Sequence, residues 1–337
     1  GPALRKLTFH DRARMLKALA TFLNAQKQAL YDLSFNTGAT QADNAIDIDG
    51  GIGTMFVFAA KGRREMPDVH VYLDGAPEQL SRGGSFVGQH IYTPLLGVAV
   101  HINAFNFPVW GMLEKLAPAL LAGVPCIVKP ATASCYVAEA CVRLMLESGI
   151  LPPGALQLVS GGLGDMLDRL EAQDIVAFTG SAQTALSLRS NPHILRNSIR
   201  FTAEQDSLNA SILGPDATPG TPEFDLFVKE VQREMTAKAG QKCTAIRRII
   251  APEAQVHAVI EALCARLRKV QIGDPRLETT RMGALISAAQ RRDVLAKAAL
   301  IGSEAERVFG NPDAFEVQGA DAAKDAFVPP MLFHCAN

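Results

Sequence analysis

Cys243 stands in the segment KAGQKCTA, after a run of helical periodicity and before the strand-like IRRIIAP. A cysteine in a turn of glycine and small residues is placed for exposure, with Lys238 and Lys242 close by in sequence. As a thiolate it is a nucleophile for a carbonyl carbon. The other cysteines, Cys126, Cys135, Cys141, Cys264 and Cys335, lie in apolar helical or strand-like contexts where a thiol serves as a small core hydrophobe. No C-x-x-C pair and no histidine cluster at metal spacing occurs, so neither a disulfide framework nor a metal site is suggested.

Two further residues suit the same chemistry. Asn106, in HINAFNFPVWGMLEKLAPAL, sits at the mouth of a helix opened by Pro108. Its amide could donate into a cleft at the carboxyl end of a parallel sheet, or simply cap the helix. Glu204, in FTAEQDSLN, has the carboxylate needed to take a proton from water, and also reads as a solvated strand-edge charge. Other eye-catching residues read as structure. Asp47, Asp49 and Gly50 hint at a cation loop but lack its remaining positions and read as a solvated turn. His101 reads as a satisfied core or cleft-wall histidine, Arg247 and Arg248 as strand charges that could meet phosphates, and Phe107 and Trp110 as packing or tunnel wall.

These residues need a scaffold, and the hydrophobic pattern supplies one. Residues 11–33 carry an apolar helical stripe (Met15, Leu19, Phe22, Leu23, Leu30), and a second helical stretch runs to about 61. From about 85, short apolar runs bounded by Gly or Pro follow at 96–102, 125–129, 155–160 and 174–180. Helical patterns near 108–121, 134–148, 163–171 and 182–189 separate them. Strands alternating with helices of this length imply parallel βαβ units and a doubly wound sheet. A strand at 207–214 precedes the Pro-rich PDATPGTPEFD. Beyond it are predicted a helix over 223–239, the Cys243 loop, helices near 253–269 and 287–300, and a strand-like FVPPML. The expected division is a dinucleotide domain over 1–205 and the start of a catalytic domain over 206–337.

Composition adds exclusions. The 337 residues are 48% hydrophobic and 20% charged, with a formal net charge of -1, so no global field draws the protein to nucleic acid or an anionic membrane. No long uncharged apolar window and no signal-like N-terminus occurs, and the expected location is cytoplasmic.

In the order NFP, VKP, FTGS, a glutamate and GQKC, these motifs resemble the aldehyde dehydrogenase superfamily along essentially the whole chain. Within it, GAT-x-AD (38–43), DIDGGIGT (47–54), KPATA (129–133), DSLN (206–209) and VxREMTxKxGQKCTAIRR (231–248) are similar to members that oxidise semialdehydes on coenzyme A thioesters in aromatic-ring degradation by the phenylacetate or benzoyl-CoA routes. The resemblance implies a Rossmann-type cofactor domain, a partial α/β catalytic domain and an oligomerisation arm near 75–95. It assigns Cys243 as nucleophile, Glu204 as general base and Asn106 as oxyanion donor. It places Lys129, Thr132, Ala104, Phe105, Phe178, Gly180 and Ser181 at the cofactor, Lys129 on the adenosine ribose and Gly180 with Ser181 facing the pyrophosphate. It further implies a homo-oligomer and a hydratase domain fused in the parent protein.

Many NAD-preferring relatives carry a glutamate three positions after the ribose lysine; here Thr132 stands there, which favours NADP over NAD. Gly162 and Gly164 begin a G-x-G-x-x-G pattern that Leu167 breaks. Two departures stand out. Ala185 replaces a frequent glycine, and the family continues past FVPPML and begins before Gly1, so the chain reads as part of a longer protein. The competing functions are an acylating dehydrogenase, in which free coenzyme A takes the acyl group, and a non-catalytic dinucleotide-binding relative. Glu204 argues against the first, and the joint presence of Asn106, Glu204 and Cys243 against the second.

Overall fold

The structure is a computed structural model that describes residues 1–335. The chain forms two compact units, one of Gly1–Leu30 with Ile46–Gln205, the other of Tyr31–Ala45 with residues from Asp206 onward.

In the first unit, an exposed antiparallel hairpin joins β1 (Tyr72–Gln79) to β2 (Val87–Tyr92). It is followed by the parallel strands β3 (Ala99–Ile102), β4 (Cys126–Lys129), β5 (Leu156–Leu158), β6 (Ile175–Gly180) and β7 (Arg200–Gln205). Their order in the sheet is β5-β4-β3-β6-β7, so the winding reverses between β3 and β6, where α/β sheets open a crevice at their carboxyl ends. All four residues of β3 are buried, which is why Ala99, Val100 and Ile102 are all apolar, with His101 the one polar side chain among them. On one face Val100, Ile102, Val176 and Phe178 pack with Ala185, Ile194 and Ile199. The Trp110–Leu121 helix buries Met112, Leu113, Leu116, Ala117 and Leu120. Its carboxyl end is held by the fully buried Arg12, whose Nε donates to Leu121 O at 2.7 Å and Nη1 to Leu7 O at 2.8 Å; a cation suits the negative end of the helix dipole.

Three expectations are corrected here. The helix expected over 163–171 is one short 3-10 turn, Met166–Arg169, because Gly161 and Gly164 take left-handed φ of 90° and 55°. The segment Arg200–Gln205, not anticipated as an element, is the edge strand β7. Asp47, Asp49 and Gly50 form no solvated turn: residues 45–49 make a π-helical turn leading into the Gly50–Glu65 helix, and Asp47 is 2% exposed.

The second unit pairs β8 (Asn209–Ile212) with β9 (Ile246–Ile250) in parallel, and β10 (Glu306–Phe309) with β11 (Leu332–His334) antiparallel. The strand expected in FVPPML lies one step later, since Pro329 and Pro330 have no N–H to give a ladder. Helices Pro222–Thr236 and Val256–Leu267 bury Phe224, Val228, Val231, Val259 and Leu263 against Leu213 and Leu332. Each such side chain removed from water contributes about 2 kcal/mol. Among the described residues no helix is long and apolar enough to cross a membrane.

Candidate active site

The carboxyl edge of the five-stranded sheet gathers most of the candidate residues. Asn106 lies in the loop after β3, Lys129 ends β4, Thr132 follows it, Gly180 ends β6 and Ser181 follows, and Glu204 lies near the end of β7 opposite Thr179. Asn106, Ala104 and Phe105 are half-buried; Glu204 and Thr132 are exposed. Residues in register on neighbouring parallel strands share a face, so Glu204, Thr179 and Ala177 lie on the face opposite Phe178.

The Asn106 loop is fixed from below. Asp47 Oδ1 accepts hydrogen bonds from the backbone N–H groups of Val109 (3.1 Å) and Trp110 (2.7 Å), capping the helix that begins four residues after Asn106. The cap depends on close approach: a Cβ on Gly50 would lie 2.3 Å from the Trp110 ring, and one on Gly51 2.9 Å from the Trp110 Cα. Thus DIDGGIGT is a seat for Trp110, whose Nε1 donates to Glu114 Oε2 at 3.0 Å. His101, expected to be satisfied, is not: burial and then the Lys115 ammonium push its pKa down to about 4, and Nδ1 has no hydrogen-bond partner among the described residues.

The same edge suits a dinucleotide. Lys129 makes no ion pair among the described residues, leaving its ammonium for a ribose or phosphate. Ser181 is the N-cap of the Ala182–Arg189 helix and accepts from Thr184 N, setting a helix N-terminus at the end of β6. A Cβ on Gly180 would meet the Phe178 ring at 2.6 Å, so glycine keeps this turn narrow. Phe178 itself belongs to the core, 4% exposed, and supports the turn from beneath. Ala185 is buried in the same cluster, 2% exposed, where its methyl packs.

In the second unit Cys243 is exposed, whereas burial pushes the thiols of Cys126 and Cys141 far above the ordinary cysteine range. The loop that presents it is over-determined. Lys238, Ala239 and Gly240 take left-handed φ of 52°, 54° and 71° in succession, a run that costs on the order of 1 kcal/mol for each non-glycine residue. Asp43 Oδ1 accepts from Lys238 N at 2.7 Å, the Lys238 ammonium donates to Thr37 Oγ1 at 2.6 Å, and Gln241 Nε2 donates to Lys238 O at 2.9 Å. Arg247 Nη2 donates to Gly240 O at 2.6 Å, and Asn209 Nδ2 to the carbonyls of Cys243 (2.6 Å) and Ala245 (3.2 Å). Arg248 Nη2 holds Leu208 O at 2.8 Å. Both lysines flanking the loop are therefore engaged, Lys238 with Thr37 and Lys242 with Glu234 at 2.7 Å, and both arginines serve the backbone.

Asp43 and Thr37 explain why residues 31–45 group with the second unit; Asp43, Asn209 and Glu234 fall inside the GAT-x-AD, DSLN and VxREMT motifs with no role assigned to them there, and Thr37 lies in none of the motifs. Among the described residues no group of three or more metal-ligating side chains occurs.

A doubly wound parallel sheet with its polar residues at the carboxyl edge, followed by a cysteine in a braced loop on a second α/β unit, defines a recognisable class of α/β protein. Residues 1–337 match the aldehyde dehydrogenase family model, and the chain belongs to the aldehyde dehydrogenase family. It is 48% identical to 3,4-dehydroadipyl-CoA semialdehyde dehydrogenase of Aromatoleum evansii over 336 residues, covering 99% of this chain and 65% of that protein. It is 30% identical to geranial dehydrogenase of Castellaniella defragrans, covering 71% and 47%. Its fold matches betaine aldehyde dehydrogenase of Staphylococcus aureus in complex with NAD+, with a TM-score of 0.84 at 23% identity, over 97% of this chain and 62% of that one. The chain thus spans less than two thirds of the length of these relatives.

Proposed function

We propose that the protein oxidises a semialdehyde carried on a coenzyme A thioester to the carboxylate, with Cys243 as nucleophile, and that the thioester arises from the opening of an aromatic-derived ring, as in phenylacetate degradation. The observation that carries this reading is the 48% identity, over 99% of the chain, to an enzyme named for a CoA-linked semialdehyde, together with an exposed Cys243 in a braced loop. That relative's dehydroadipyl chain is a second substrate to test beside the longer phenylacetate-derived one.

In this reading the Cys243 thiolate attacks the aldehyde carbon, and the oxyanion of the hemithioacetal accepts hydrogen bonds from the Asn106 amide and the Cys243 backbone N–H. Lys129, Thr132, Gly180, Ser181 and the backbone of Ala104 and Phe105 would hold NADP, which would supply the hydride acceptor. Loss of hydride leaves a thioester on Cys243. Glu204 takes a proton from water, the hydroxide adds to the thioester carbon, and the C–S bond breaks to give carboxylate and thiolate. The homo-oligomer is assigned to the exposed β1–β2 hairpin, where Leu73, Phe86, Val87 and Ile91 are uncovered.

The test is cofactor reduction by the full-length protein with each CoA-linked semialdehyde, in NADP and NAD, beside Cys243→Ala. Reduction by wild type and silence of the variant support the reading. Binding of cofactor without reduction replaces it with the non-catalytic one, and turnover that requires free coenzyme A replaces it with the acylating one.

A further inference from the structure

Glu234 occupies a place that helix energetics disfavour. It lies in the last turn of the Pro222–Thr236 helix, where the carbonyl end of the dipole repels an anion, and it is only 9% exposed. A carboxylate kept there has to be answered by a cation. Lys242 answers it: Nζ donates to Oε1 at 2.7 Å and Oε2 at 2.9 Å, with the lysine and glutamate side chains 13% and 11% exposed. Thr244 Oγ1 donates to the same Oε2 at 3.2 Å. Arg233, beside Glu234 in sequence, is 3.9 Å away and turns instead to Glu230 at 3.1 Å.

Lys242 and Thr244 are the two chain neighbours of Cys243. One buried carboxylate therefore grips the residue before the cysteine and the residue after it, while Asn209 holds the cysteine carbonyl from β8. A surface ion pair would be worth little, but this one is largely desolvated and shared with a hydroxyl, which fixes direction as well as charge. We propose that Glu234 is a positioning residue for Cys243: it locks the loop through both neighbours and neutralises the ammonium of Lys242, the residue that precedes the cysteine. The inference rests on the reading of Cys243 as the nucleophile.

The proposal is tested on the full-length protein by the pH profile of Cys243 alkylation with iodoacetamide, followed at the Cys243 peptide, beside kcat and KM. Glu234→Gln keeps size and hydrogen bonding but leaves the ammonium uncompensated. The alkylation midpoint falls by about half a unit or more, since a nearby cation favours thiolate, and kcat drops about tenfold with KM for the cofactor unchanged. Lys242→Met moves the midpoint the opposite way, because the carboxylate is then unanswered; this variant carries the test if Glu234→Gln does not fold. Glu234→Asp, which keeps the charge, retains a midpoint close to wild type. Folded Glu234→Gln or Lys242→Met with the wild-type midpoint overturns the proposal. Shifted midpoints in a protein that reduces no cofactor with any aldehyde leave the proposal standing and sink the functional reading instead.

Discussion

Asp43 Oδ1 accepts a 2.7 Å hydrogen bond from the backbone N–H of Lys238, 195 positions further along the chain. Lys238 begins the left-handed run that turns the chain toward Cys243, so the cap of the short Gln41–Asn44 helix braces the Cys243 loop. Asp43 is 3% exposed, and its other oxygen accepts from Thr40 N (2.9 Å) and Oγ1 (2.8 Å) in a capping box.

Asp43→Ala removes all three bonds and leaves Lys238 N without its acceptor. The expected loss is about 3 kcal/mol of stability, charge-assisted bonds to a buried carboxylate being worth roughly 1.5–3 kcal/mol. Urea unfolding of the full-length protein reads it, and Asp43→Asn, which keeps an acceptor for Lys238 N, loses less. Equal midpoints for wild type and Asp43→Ala would falsify the brace.

Asp47 does the equivalent work for Asn106. Asp47→Ala strips the cap from Val109 N and Trp110 N, and is expected to cost about 1–2 kcal/mol, the range for lost N-caps. The same change loosens the loop that carries Asn106, so kcat for aldehyde oxidation falls while cofactor affinity holds. Gly50→Leu, which drives atoms into the Trp110 ring, produces a similar defect by sterics alone. A variant with lowered stability and unchanged kcat would confine Asp47 to the helix and detach it from Asn106.

What was legible in the sequence follows from range. The strands β3, β4 and β6 were visible because each is a short, largely apolar run bounded by Gly or Pro, and only β3 is buried at every position; the Ala182–Arg189 helix is capped locally by Ser181. The edge strand β7 was hidden: as RFTAEQ it alternates only weakly and exposes Glu204 and Gln205, so no apolar run marks it. Cys243 stood out through the motifs that accompany it along the chain, and the same motifs carry Asp43, Asn209 and Glu234 without revealing what those residues touch. Asp43 and Thr37 meet Lys238 across 195 and 201 positions, and Asn209 meets Cys243 across 34, separations at which no spacing rule operates. Phe178, expected at the cofactor, lies in the core because its strand face, set by the register Ile102↔Phe178, is the one that packs on Ala185 and Ile194.

His101 gives the protein an acid-sensitive element. Its pKa is about 4 when folded, against 6.5 unfolded, so between those values the unfolded chain binds the extra proton and stability rises with pH. The contribution is complete above pH 6.5 and is lost as pH falls toward 4, by at most about 3 kcal/mol. His101→Gln has no proton to gain, so its unfolding free energy declines less steeply than wild type over that window. Chemical denaturation at a series of pH values compares the two slopes, and parallel slopes refute the assignment.

Thr132 tests the cofactor preference. It is exposed at the carboxyl edge, three residues beyond Lys129, with no anion of its own to oppose a ribose phosphate. Thr132→Glu places a carboxylate there, which repels a 2′-phosphate and accepts from ribose hydroxyls. The ratio of kcat/KM for NADP over NAD is expected to fall at least about tenfold, equivalent to about 1.4 kcal/mol of differential binding. Thermal shifts in saturating NADP and NAD provide a readout that needs no aldehyde, with the NADP shift shrinking and the NAD shift growing. If both cofactors lose affinity equally, Thr132 does not face the ribose, and the preference must be set elsewhere on the β4 edge.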